Sequence, residues 1–226
     1  MLWQWAKSGT QVFILDLDGT LIPSDEIDDQ CFWQAVFACF GERDKLPDLH
    51  GFKHVTDSGI LDEWCIRELG RPPRAEETSQ IRQHFLQLLE ANATRHPEYF
   101  TPLPGVIQWL ETVSEHNTVF TGIATGGWGH SARAKLKLSD LARFDLPLAS
   151  SDDAVARTDI MQITVGRTLE HPRDKNAVIS YVGDGVWDLR ASQKLNWEFI
   201  GIADGTRAAE LKQAGASHIQ ADFCQT

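Results

Sequence analysis

Long apolar runs are missing from this sequence. The cleanest, residues 12–15, spans four positions, against the roughly 20 that a bilayer-crossing helix needs, so no membrane-spanning helix is expected. Basic charge is also scarce: 21 Lys+Arg stand against 32 Asp+Glu, a net −11 with His neutral. That balance excludes sequence-independent nucleic-acid binding and docking on anionic membranes, both of which need a basic face. Cysteine is thin, with four residues (Cys31, Cys39, Cys65, Cys224) and no CxxC spacing. Reduced thiols in a cytoplasmic protein are therefore expected. Near the N-terminus Trp3 and Trp5 stand without a basic n-region, an apolar h-region or a small-residue cleavage site, which predicts no secretory signal. Repeats and low-complexity tracts are absent as well. What remains is a globular composition, 42% hydrophobic and 23% charged over 226 residues, enough for one α/β core and a smaller second domain.

Five short β-branched or apolar runs read as buried strands: residues 12–15, 119–124, 146–149, 178–182 and 199–203. Helical patterns over 131–138, 160–169, 187–195 and 207–214 lie between or after the later ones, and 106–113 forms another helix. Alternating strands and helices imply a parallel sheet covered on both faces. Residues 22–102 break this rhythm. Residues 31–40 are apolar almost all round. Ile60, Leu61, Trp64, Cys65 and Leu69 make one helical stripe, and Ile81, Phe85, Leu88 and Leu89 another. Arg71-Pro72-Pro73 separates those two helices, and Thr101-Pro102-Leu103-Pro104-Gly105 ends the segment in a stiff turn. The sequence thus divides into an α/β core, 1–21 with 103–226, and an all-helical insert, 22–102. The insert's two tethers should lie side by side and serve as a hinge.

The first strand runs into Asp16-Leu17-Asp18-Gly19-Thr20. Two carboxylates two residues apart would point the same way at the C-terminal edge of the sheet, where α/β folds place ligands. An acidic turn capping the next element is the competing reading, and the apolar strand ahead of the pair argues against it. Ile123-Ala124-Thr125-Gly126-Gly127 sets a hydroxyl at a second strand end. Tyr181-Val182-Gly183-Asp184-Gly185-Val186-Trp187-Asp188 sets two more carboxylates at a third, where they could instead cap the following helix.

In order and spacing these motifs resemble the haloacid dehalogenase-like (HAD) superfamily, whose phosphatases open with DxDGT. The resemblance covers 1–21 and about 103–226, and the helical insert lies where that family carries a C1-type cap. It implies a Rossmann-like parallel sheet with an inserted all-helical cap domain, in the branch of phosphoglycolate phosphatases and β-phosphoglucomutases. It also implies a Mg²⁺-dependent hydrolase of a small phosphorylated metabolite. In the corresponding roles Asp16 is the nucleophile that becomes an aspartyl-phosphate, and Asp18 protonates the leaving oxygen and later deprotonates water. Asp16, the main-chain carbonyl of Asp18, Asp184 and Asp188 would hold the metal, since Mg²⁺ prefers oxygen ligands and keeps several waters. Thr125 and the amide of Gly126 would bind phosphoryl oxygens, helped by the N-terminus of the next helix.

The third motif departs from the family's common Lys-containing loop. Arg157 occupies that stretch and would hold phosphate in fork geometry; Lys175, nearer the fourth motif in sequence, is the alternative. His50, Lys53 and His54 in the insert, and Trp187 in the fourth motif, are candidates for contact with the leaving group. Arg133, on the helix after the second motif, stands no better than the insert residues. A phosphomutase and a non-catalytic phosphate-binding regulatory protein are the competing functions. Whether the protein is a monomer or a homodimer is not legible in the sequence.

Overall fold

The computed structural model describes residues 9–43, 45–169 and 177–224. Six strands form one parallel sheet: β1 (Gln11–Leu15), β2 (Val119–Ala124), β3 (Leu148–Ala149), β4 (Val178–Gly183), β5 (Glu198–Ile202) and β6 (Ile219–Gln220). Their order across the sheet is β3-β2-β1-β4-β5-β6. The order reverses beside β1, and such a switch point opens a crevice at the C-terminal strand ends. Register aligns the exits, since Leu15 pairs with Ile123 on one side and with Val182 on the other. Asp16, Thr125 and Asp184 therefore leave the sheet at nearly one level.

Both faces of the sheet are covered because β1 alternates. Phe13 and Leu15 pack with Val106, Trp109, Leu110 and Val113 of α4 (Val106–Ser114) and with Ala132 and Leu136 of α5 (Gly129–Leu138). Val12 and Ile14 face Ile160 and Met161 of α6 (Arg157–Thr168), Leu189 of α7 (Val186–Leu195) and Leu211 of α8 (Gly205–Gln213). Each aliphatic or Phe side chain fully buried in this way contributes about 1.5–3 kcal/mol, which anchors the C-terminal edge of β1 from both sides.

The insert carries α1 (Asp25–Phe40), α2 (Asp57–Leu69) and α3 (Ala75–Arg95) around an aromatic-rich core of its own. Trp128, at the head of α5, plugs into that core, with its ring 5.5 Å from Phe32 and 5.8 Å from Phe85. The two ends of the insert meet where the Leu103 amide donates to the Leu21 carbonyl at 2.9 Å. Among the described residues no helix is long and apolar enough to cross a membrane.

Several boundaries differ from the sequence reading. The helix expected over 31–40 begins at Asp25, because Asp25, Glu26 and Asp28 form its acidic first turn and carry no apolar period. α5, α6, α7 and α8 likewise start one to three residues early. The strand expected over 146–149 pairs only at Leu148–Ala149. The two-residue β6, docked on β5 through Gly201↔Ile219, is too short to leave a pattern. Of the four thiols, Cys31 and Cys65 are buried, Cys39 half-buried and Cys224 exposed, and all are unbridged.

Candidate active site

Asp16 lies directly beyond β1, and its backbone amide still donates to Val182 on β4 at 2.8 Å, so the ladder itself aims the side chain. Its Oδ1 accepts the Leu17 amide at 2.8 Å, and its Oδ2 faces Arg157 Nη1 at 3.2 Å. Carboxylate oxygens of Asp16, Asp184 and Asp188 all lie within 4.8 Å of one another, all three buried. Burial first, then the charge of Asp188, pushes the Asp16 carboxyl up to about 8, while Arg157 pulls the other way. Burial likewise raises Asp184 well above the carboxylate range, and neighbouring Asp188 and Asp16 add to it.

Asp188 does two things. Its Oδ2 accepts the Gly185 amide at 3.0 Å, capping α7. Its Oδ1 is buried 3.0 Å from Arg157 Nη1 yet out of line for a hydrogen bond, and it has no hydrogen-bond partner. Three close carboxylates, one of them with an unsatisfied oxygen, outnumber the two guanidiniums beside them, Arg157 and Arg207, and so form a donor set with surplus negative charge. Such a set fits a hard divalent cation.

Arg157, at the first position of α6, is itself buried. Besides Asp16 it reaches Tyr181 Oη at 3.4 Å and the Val55 carbonyl at 3.0 Å. Neighbouring Asp188 and Asp16 raise its pKa, outweighing the opposing effect of burial. Lys175 lies outside the described residues. Thr125 is buried, and its Oγ1 accepts the Gly127 amide at 3.0 Å, leaving the hydroxyl proton to donate. Gly126 must be small here, since a Cβ would stand 2.4 Å from Arg157 Nη2.

One expectation is narrowed by these contacts. At the head of α5 the amides of Gly127, Trp128 and Gly129 are already used. Trp128 N–H is bound by Asp57 Oδ2 at 2.8 Å and Gly129 N–H by Asp152 Oδ2 at 3.0 Å, beyond the internal bond of Gly127.

A cavity of about 710 Å³ opens over this floor, lined by Asp16, Asp18, Thr125, Gly126, Arg157 and Asp184 below and by residues of the insert above. Segment 55–58 closes one side. The Asp57 amide donates to the Gly126 carbonyl (2.8 Å), Thr56 Oγ1 to the Val155 carbonyl (2.9 Å), and Ser58 Oγ to the Ser151 carbonyl (3.1 Å). Among the leaving-group candidates, His50 and Trp187 line the cavity with ring centres 6.1 Å apart. Lys53 and His54 are not in the lining: Lys53 is exposed, and its backbone amide is tied down by Glu63 at 2.9 Å. Arg133 folds back onto the Gly129 carbonyl and is exposed.

Two cations that the motifs do not mark belong to the site. Arg207 of α8 bridges Asp184 Oδ2 (2.8 Å) and Asp25. Lys135 of α5, fully buried, binds Asp18 and Asp28. Each meets partners far away in sequence. Lys135 sits in an ordinary-looking Lys-Leu-Lys-Leu stretch that reads as a solvated helix.

Residues 13–202 match the family model described as haloacid dehalogenase-like hydrolase. No curated protein sequence matches the chain. Among solved structures, a hydrolase from Pseudomonas syringae superposes with a TM-score of 0.71 at 23% identity, covering 95% of this chain and 94% of that one. CbbY from Rhodobacter sphaeroides, solved in complex with phosphate, gives 0.69 at 18%, covering 95% of each chain. A HAD hydrolase of family IA, variant 3, from Entamoeba histolytica gives 0.64 at 14%, covering 95% and 93%. At such identities the likeness speaks for the fold.

Proposed function

The chain belongs to the haloacid dehalogenase-like hydrolases, and from that premise we propose that it is a Mg²⁺-dependent phosphatase cleaving a small phosphomonoester through an aspartyl-phosphate on Asp16. The observation that carries this reading is the Asp16 carboxylate on the cavity floor, 3.2 Å from a buried guanidinium and clustered with Asp184 and Asp188.

Asp16, Asp184 and Asp188, with the main-chain carbonyl of Asp18, would hold the metal. Bound Mg²⁺ supplies positive charge that lets an anionic carboxylate approach an anionic phosphorus centre. The chain's own groups do the rest. Arg157, the Thr125 hydroxyl and the Gly126 amide orient the phosphoryl oxygens. An Asp16 oxygen attacks phosphorus as the ester P–O bond breaks, and Asp18 gives its proton to the departing alcohol. A water oxygen then attacks phosphorus, the acyl-phosphate P–O bond breaks back to Asp16, and Asp18 takes the water's proton. Residues 22–102 act in this reading as the cap, excluding bulk water while the intermediate exists.

The wall facing Asp16 supports a choice of leaving group. Asp25, Glu26, Asp28 and Asp29 line it, together with Tyr99 and His50. Among the described residues, the only Arg or Lys side chains in the lining are Arg157 and Arg207, both already paired with carboxylates. An uncharged or cationic alcohol suits that wall; a second phosphate or a carboxylate does not. The same feature favours hydrolysis over a phosphomutase cycle, which must seat a bisphosphate.

Phosphate release from 4-nitrophenyl phosphate with and without Mg²⁺, in the wild type and in Asp16→Asn, tests the proposal. Metal-dependent release in the wild type and a folded, inactive variant are expected. Wild-type turnover in Asp16→Asn rules the mechanism out.

A further inference from the structure

We propose that Lys135 is the positioning residue for Asp18, holding the proton-carrying carboxylate in place and tying it to the helical insert through Asp28. This inference rests on the phosphatase reading above.

Lys135 is 0% exposed. Its Nζ lies 2.7 Å from Asp18 Oδ1, 2.6 Å from Asp18 Oδ2 and 2.7 Å from Asp28 Oδ1. An ammonium has three N–H donors, and these contacts use all of them. Nothing is left to offer a phosphate or a water, and Lys135 is absent from the cavity lining. Its action therefore falls on Asp18 and not on substrate.

Asp18 needs such a hold. It stands past the end of β1 in a loop whose next residue, Gly19, has φ +72°, and no strand ladder fixes its side chain. Ser24 Oγ donates to Asp18 Oδ1 at 2.5 Å, and Lys135 spans both oxygens. A group that must first give a proton to the ester oxygen and then take one from water has to stay within a hydrogen bond of both positions. A misplacement on the order of 1 Å costs roughly 10²-fold in rate. The same ammonium is shared with Asp28 of α1, so the acid's anchor joins a core helix to the first helix of the insert.

The test compares kcat on 4-nitrophenyl phosphate, whose leaving group departs without a proton, with kcat on glycerol 1-phosphate, ethanolamine phosphate and glucose 6-phosphate. The enzymes are wild type, Lys135→Met, Asp18→Asn, Lys135→Met/Asp18→Asn and the charge-balanced Lys135→Met/Asp28→Asn, all with Mg²⁺. Lys135→Met should lower the alkyl-to-aryl ratio of kcat about 10²-fold with KM shifted less than about threefold. Asp18→Asn should lower the ratio similarly, and Lys135→Met added to it should lower it by less than about threefold more. If Lys135→Met does not fold, the variant that also lacks Asp28 carries the comparison. Equal loss on aryl and alkyl substrates, or effects of Lys135→Met and Asp18→Asn that multiply, would overturn the proposal. A wild-type enzyme inert toward all four esters would instead overturn the phosphatase reading, and this inference with it.

Discussion

At Gly19 the backbone takes φ +72°, and a Cβ there would stand 2.3 Å from Asp184 Oδ2. The glycine of the first motif is thus required twice, for a left-handed turn and for room beside a carboxylate that the reading above gives to the metal. Gly19→Ala should cost about 1–3 kcal/mol of stability, measured by denaturant unfolding; a loss under half of that would show that the loop relaxes freely. Arg157 makes the second prediction at this scale. Hydrogen bonds to charged groups are worth about 1.5–3 kcal/mol, so Arg157→Ala should weaken vanadate inhibition about 10- to 10²-fold. An equal or larger effect from Lys175→Ala would move the third-motif role to that residue. Asp16, Thr125 and Asp184 were legible as candidates because each follows an apolar run that reads as a buried strand, and Asp18 and Asp188 because they lie two and four residues beyond Asp16 and Asp184. Lys135, Arg207 and Asp57 were not, because their roles come from partners brought near by the fold, and their local sequence resembles that of any helix surface.

Helix α1 shows what the first turn of an element can hide. Its acidic start suits a helix N-terminus, yet Asp29 is half-buried, and burial lifts its carboxyl to about 6. The folded state therefore binds this proton more tightly than the unfolded chain, whose value is near 3.8. Its contribution to stability is fully present below pH 4 and is lost as pH rises through 6. Asp29→Asn should consequently raise the unfolding free energy at pH 7.5 by roughly 1 kcal/mol after allowing for partial solvent exposure, and change it little at pH 4, measured by denaturant unfolding at the two pH values. Stabilisation of equal size at both pH values would contradict this account. At this scale the four longer strands were easy to read, while the two-residue β3 and β6 and the helix starts were not: apolar periodicity marks the packed turns, whereas capping turns are polar, as in 25–29 and around 157.

Across the whole molecule, charge decides behaviour. The chain carries net −11 and gathers Asp16, Asp184 and Asp188 within 4.8 Å at the switch point of the sheet. A cation bound there only in the folded state stabilises it by linkage, about 2.7 kcal/mol at a hundredfold excess over Kd, or roughly 5–10 °C for a chain of this size. Mg²⁺ should raise the melting temperature of the wild type by that amount and leave Asp184→Asn nearly unchanged; equal shifts in both would place the ion elsewhere. The parallel sheet, the helical insert and the meeting of its two tethers follow from strand–helix alternation and its interruption at 22–102. The lateral strand order does not, because nothing within a buried strand names its neighbours.

The central claim is that phosphorus becomes bonded to Asp16. Quenching wild-type enzyme during turnover of 4-nitrophenyl phosphate with Mg²⁺ and mapping the modified peptide by mass spectrometry tests it most directly. One phosphoryl group on the peptide bearing Asp16, absent from Asp16→Asn, is the predicted result. Turnover with no phosphorylated enzyme, or a label on any other residue, would contradict it.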